Sequence, residues 1–179
     1  FLRGWEFEIQ AGHTPMAEIV EEASERFFWH FPFTFGPKTE RRLVAELADW
    51  TRQVLAREEE KEASWAQPTT NDQIASAFEA LRKRGITALE NVGCTIQDAW
   101  GYVGLKQRRG DVGAVFFHHL DVADVLEGDE LLVAFGSFDS APQWNVSKSQ
   151  AIGRQAVDAL HDCGIAAQWG GGLKSASVS

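Results

Sequence analysis

Residues 79–91 read EALRKRGITALEN, and this stretch decides the fold. Its first half continues the helical spacing of Ile74, Phe78 and Leu81, which share one face. Arg82, Lys83 and Arg84 then suit the negative end of a helix dipole. Gly85 is the stop, because glycine enters the left-handed conformation without a side-chain clash. Ile86 starts an apolar run that reads as a strand. Residues 158–170, DALHDCGIAAQWG, follow the same grammar, with Gly164 as the stop and Ile165 as the restart. The two stretches are either a weak internal repeat or two uses of one stop signal. On either reading, a helix feeds directly into a strand twice.

Two more strands lie between these units. GAVFFHH (113–119) is short and apolar, and ELLVAFGSFD (130–139) carries Gly136 inside it. A glycine within a strand marks a bulge or a close approach to the backbone. The connection LDVADVLEGD (120–129) has room for about two helical turns, with Asp121 expected as the cap. Upstream, Leu43, Leu47, Trp50 and Val54 form one stripe of a helix over 38–62, and Thr70 with Gln73 has capping-box spacing for the next helix. Thr14 and Pro15 open a further helix. It gives way to an aromatic segment, 27–35, which packs as a connector or forms a subunit contact. The expected architecture is α+β: a two-layer sandwich of about four strands, mixed or antiparallel, with helices on one face. Residues 1–62 form a helical extension, 63–173 the α+β domain, and 174–179 a flexible tail.

Bulk properties narrow the classes of function. A hydrophobic content of 44% with 24% charged residues is globular rather than disordered composition. The first residue is Phe1, which reads as a trimmed or partial chain. The formal charge of −9 disfavours general nucleic-acid binding and suits a basic protein partner. No apolar run reaches the roughly 20 residues of a membrane span. Cys94 and Cys163 stand far apart and do not form a zinc knuckle, so a reducing cytoplasm is the expected home.

AVFFHHLD (114–121) asks for its own explanation. Adjacent strand side chains point to opposite faces, so His118 and His119 do not reach one metal while the strand lasts. The expected roles are structural: His118 hydrogen-bonded at a sheet edge, His119 exposed, and Asp121 capping. A polar His118–Asp121 site in a cleft is the functional alternative. Trp100 and Tyr102, in the glycine-punctuated loop AWGYVG, are the best candidates for a ligand-facing or partner-facing surface. Core packing is the favoured reading for Trp100. The basic trio Arg82–Arg84 stands at a helix C-terminus, the wrong end for anions. Neither a P-loop, a GxGxxG run nor a GxSxG elbow is present, and no cofactor is expected.

A family resemblance rests on three stretches. They are residues 57–91 with Trp-x-x-Pro-Thr at Trp65 and the helix end ALRKRGI, then 113–139 with an aromatic strand ending at His118 and Asp121 after it, then 151–171. Over about residues 57–173 the chain resembles the bacterial domain family of unknown function numbered 6891. The resemblance implies a fold and a bacterial source, and it implies no activity. It also brings a departure. The family pattern pairs cysteines as Cys-x-x-Cys after the first strand, whereas here Cys94 is followed by Gln97 at the second position. A lone thiolate is a poor metal site.

Together these features favour a non-enzymatic module that binds another protein, with an immunity- or antitoxin-like role as the nearest class. The alternative is a small-molecule binder or enzyme with a cleft around His118, Asp121 and Trp100. A homodimer through the aromatic segment 27–35 is the third reading. Neither a nucleic acid nor a membrane is an expected partner.

Overall fold

The computed structural model describes residues 36–138, 146–172 and 175–178. The helix expected to open at Thr14 and the aromatic segment 27–35 lie outside the described residues. The chain divides into two compact units, Phe1–Ala66 and Gln67–Ser179.

In the first unit the described part is one helix, α1 (Pro37–Glu62), with Pro37 at its start where a missing N–H costs nothing. Of the expected stripe, Leu47 and Val54 are buried and Leu43 and Trp50 are partly buried. Thr51 is also fully buried. Its hydroxyl donates to the Leu47 carbonyl at 2.9 Å, which satisfies a polar group that would otherwise be stranded.

The second unit begins with α2 (Thr70–Lys83). Its cap is Thr69 with Asp72, one residue earlier than the expected Thr70–Gln73 pair. The Asp72 N–H donates to the Thr69 hydroxyl at 3.2 Å, and the Thr69 N–H donates to the Asp72 carboxylate at 2.9 Å. Gly85 ends the helix at φ +76, and Gly164 plays the same part later at φ +83. Then come β1 (Ile86–Leu89), α3 (Ile96–Lys106), β2 (Gly113–Phe116), α4 (His119–Glu127), β3 (Leu131–Ser137), α5 (Val146–Asp162), β4 (Ala167–Gln168) and β5 (Ser175–Val178).

The sheet is mixed, in the order β1-β2-β3-β5-β4. β1 and β2 are parallel, and the remaining neighbours are antiparallel. The α+β class therefore holds, with five strands among the described residues where four were expected. The added strand is β5, in the stretch expected to be a flexible tail. Its composition, Ser-Ala-Ser-Val, lacks the apolar run that marks the others, but Ala176 and Val178 turn inward and complete the core.

Strand alternation divides the core in two. On one face Ile86, Val115, Val133 and Phe135 meet Phe78 and Leu81 of α2 and Ile152 and Leu160 of α5. On the other, Ala114, Phe116 and Ala134 meet Ala99 and Val103 of α3. The expectation of helices on one face fits α2 and α5, and α3 departs from it. The stretch that holds α3 was expected as a loop because Gly101 and Gly104 interrupt it.

Glycines mark the tightest approaches. A Cβ at Gly153 of α5 would stand 2.6 Å from the Phe135 ring, and one at Gly136 would stand 2.9 Å from the Trp100 ring. The glycine inside β3 thus marks a close approach, here by a helix-borne side chain.

The segment after β4 is tied to α5. Gln150 Nε2 donates to the Gly171 carbonyl at 3.2 Å, and the Arg154 guanidinium lies 6.0 Å from the Trp169 ring centre. His161 Nε2 lies 2.9 Å from the Ala167 carbonyl, which supplies a partner to a short edge strand.

Candidate functional site

β2 runs out at Phe116, and α4 begins three residues later at His119. His118, not Asp121, occupies the N-cap, with extended backbone at φ −112 and ψ 174. The Asp121 N–H donates to His118 Nδ1 at 3.2 Å, and the His118 N–H donates to Asp121 Oδ2 at 2.7 Å. This is a capping box with an imidazole nitrogen in the place of the usual hydroxyl. Asp121 does take part in the cap, as the residue that reaches back. It is only 5% exposed. Burial pushes its carboxyl above the usual value, against the His118 N–H and the His118 ring, which both pull it down; Asp124 adds to the rise. His119 is partly buried rather than exposed, and its N–H donates to the Gly93 carbonyl at 3.0 Å.

The four candidates do not converge. Trp100 turns toward the sheet and meets Phe116 edge-on, with ring centres 5.0 Å apart. Tyr102, two residues on, faces away and is half exposed. His118 and Asp121 bond to each other. A shallow groove of about 540 Å3 does exist on the sheet, lined by Leu132, Gln168, Trp169, Ser175 and Ser177 among others, and none of the four candidates lines it.

Other chemistry is also accounted for. Thr95 and Asp98 form a capping box at the start of α3 like that of α4. Two carboxylates thus already occupy these helix N-termini, which opposes an anionic ligand at either. Each member of the basic trio has an acidic partner: Arg82 with Glu79 and Glu90, Lys83 with Glu79, and Arg84 with Asp162. Arg82 Nε also donates to the Ala88 carbonyl at 2.9 Å. Cys94 is exposed. Among the described residues no group of three or more His, Cys, Asp or Glu is arranged to hold a metal ion. Among them, too, no helix is long and apolar enough to cross a membrane.

What sequence reading missed is the outward surface of two helices. On α3, Leu105 is 81% exposed beside Tyr102, three residues away on the same face. On α4 the one buried residue is Asp121, while Leu120 is 50% and Leu126 is 44% exposed. Leu120 and Leu126 stand at i and i+6 along one outward row, with the partly buried Ala123 between them at i+3. Five apolar residues in so short a helix surround its axis, so spacing alone did not say which of them would face solvent.

No curated protein matches the chain, and no solved structure does. One family model matches residues 3–176, which takes in the expected stretch 57–173 and nearly everything before it. The chain belongs to that family, described as a domain of unknown function, DUF6891.

Proposed function

We propose that this protein is a non-enzymatic binding module that docks another protein on the outward stripe of α4. One observation carries the reading: α4 buries one of its three carboxylates, Asp121, and turns Leu120 and Leu126 to solvent. A surface helix ordinarily does the reverse. Full burial of a leucine side chain is worth roughly 1.5–3 kcal/mol, so two half-exposed leucines are a reserve of binding free energy that folding leaves unused. The groups that could have served catalysis support the same view. His118 and Asp121 hold the helix start, and Trp100 packs on Phe116 and closely approaches Gly136.

The reading is tested by placing a photo-crosslinking amino acid at Leu120 or Leu126 in cells that naturally contain the protein. Lys83, exposed on α2, serves as the control position. A discrete adduct with a second protein from α4 and none from Lys83 is the expected result. Equal labelling at all three positions would sink the reading.

A further inference from the structure

Beside the apolar stripe, α4 and the turn after it carry Asp124, Glu127, Asp129 and Glu130, all exposed. Between Leu120 and Glu130 there is no Lys, Arg or His. Among the described residues none of the four has an ion-pair partner, although the acids beside α2 are paired with its arginines and lysine. Three of them, Glu127, Asp129 and Glu130, gather at the C-terminal end of the helix, where the dipole is already negative and no basic residue stands in the last turn. Acid at that end opposes helix stability. The sequence therefore breaks two local rules on one surface, with leucines outward and carboxylates at the wrong helix end.

We infer that the occupant of this surface is a cationic amphipathic segment of another protein, with apolar side chains that cover Leu120 and Leu126 and Lys or Arg that meet Asp124, Glu127, Asp129 and Glu130. The inference rests on the docking reading above and adds the chemistry of the partner. Charge decides among the occupants. A second copy of this chain would bring the same acidic rim against itself, on a protein of net charge −9. Anionic lipid headgroups and nucleic-acid phosphates would be repelled in the same way. A cation is favoured by the carboxylates and by the negative helix end together, and leucine in the partner supplies the buried contact that charge alone does not.

The test uses the full chain and a fluorescent synthetic helical peptide with leucine on one face and lysine on the other. Two control peptides replace leucine by serine, or lysine by glutamate. Protein variants are Asp124→Lys/Glu127→Lys, Leu120→Ser/Leu126→Ser, and a charge control on α1, Glu59→Lys/Glu60→Lys. Thermal melts confirm that each variant is folded, and sedimentation reports self-association. The expected result is binding of the lysine–leucine peptide, weakened about tenfold or more by either α4 variant and weakened by added salt. The α1 variant should bind nearly as well as the parent, and both control peptides should bind at least about tenfold more weakly. Equal binding of the serine-for-leucine peptide, or an equal loss in the α1 variant, would reduce the effect to net charge and overturn the inference. Self-association abolished by Leu120→Ser/Leu126→Ser would overturn it in favour of a second copy. If α4 crosslinks to a protein in cells but the lysine–leucine peptide does not bind, the docking reading stands and the cationic partner falls. If neither occurs, both fall.

Discussion

His118 and Asp121 bond to each other in both directions across the first turn of α4, with the His118 N–H 2.7 Å from Asp121 Oδ2 and the Asp121 N–H 3.2 Å from His118 Nδ1. Nδ1 accepts the Asp121 N–H only while that nitrogen carries no proton. The same Nδ1 lies 3.1 Å from Asp121 Oδ2. A protonated ring would exchange the cap for an ion pair. The pair thus secures the helix on which the proposed docking stripe stands.

Loss of either partner should cost about 1 kcal/mol, the usual scale for a helix cap. His118→Ala and Asp121→Ala are both expected to show it in chemical denaturation. His118→Asn should retain most of the stability, because an asparagine oxygen caps well. If His118→Asn is as damaging as His118→Ala, the ring is needed for something other than the cap.

The buried Asp121 carboxyl should make stability fall as pH rises. Burial, partly offset by the His118 N–H and ring, raises its folded-state pKa. Between the ordinary carboxylate value and that raised value, the folded state holds a proton that the unfolded state has released. Stability from this group is complete below the ordinary value and declines as pH climbs through the raised one. Asp121→Asn cannot titrate, so the stability of the parent relative to this variant should decrease across that window. An increase would mean that the carboxyl is held ionised in the fold.

Asp111 should behave in the opposite sense. Burial raises it, but the Thr87 hydroxyl at 2.6 Å, together with the Arg108 N–H and guanidinium, outweighs burial and leaves it below the usual value. Its contribution is present above the ordinary carboxylate pKa and is lost as pH falls through the lowered one. The stability difference between the parent and Asp111→Asn should therefore shrink in acid. A difference that stays constant in acid would contradict the assignment.

Two helix glycines should respond with opposite signs to alanine. At Gly153 the new Cβ would meet the Phe135 ring at 2.6 Å, which should destabilise by about 1–3 kcal/mol through overpacking. At Gly101, inside α3, nothing lies within 4 Å of the new atom, so helix propensity should stabilise by roughly 0.5–1 kcal/mol. Thermal melts of the two variants check both signs.

How legible the fold was in sequence depended on how local the signal was. Gly85 and Gly164 were readable because a glycine followed by isoleucine carries both the stop and the restart. α3 had a readable start in Thr95-x-x-Asp98, but Gly101 and Gly104 hid its length. β5 has a small, polar composition, and its place is set by pairing with β3 and β4, which no local pattern reveals. Asp121 was rightly tied to the helix start, but His118 is not a standard capping residue, so the cap was expected at Asp121 and His118 at a sheet edge. The stripe of Leu120 and Leu126 is a tertiary outcome: it depends on which side of α4 the sheet receives, and Asp121 with Val122 takes that side.

The central claim, that the outward stripe of α4 docks another protein, is tested most directly by Leu120→Asp/Leu126→Asp. Both residues are near half exposed, so the double variant should melt close to the parent. Affinity capture from cells that naturally contain the protein, read by quantitative mass spectrometry, should show a protein retained by the parent and lost by the double variant, with an outward substitution on α2 such as Lys83→Asp leaving it in place. A double variant that melts normally and retains the same proteins as the parent would contradict the account.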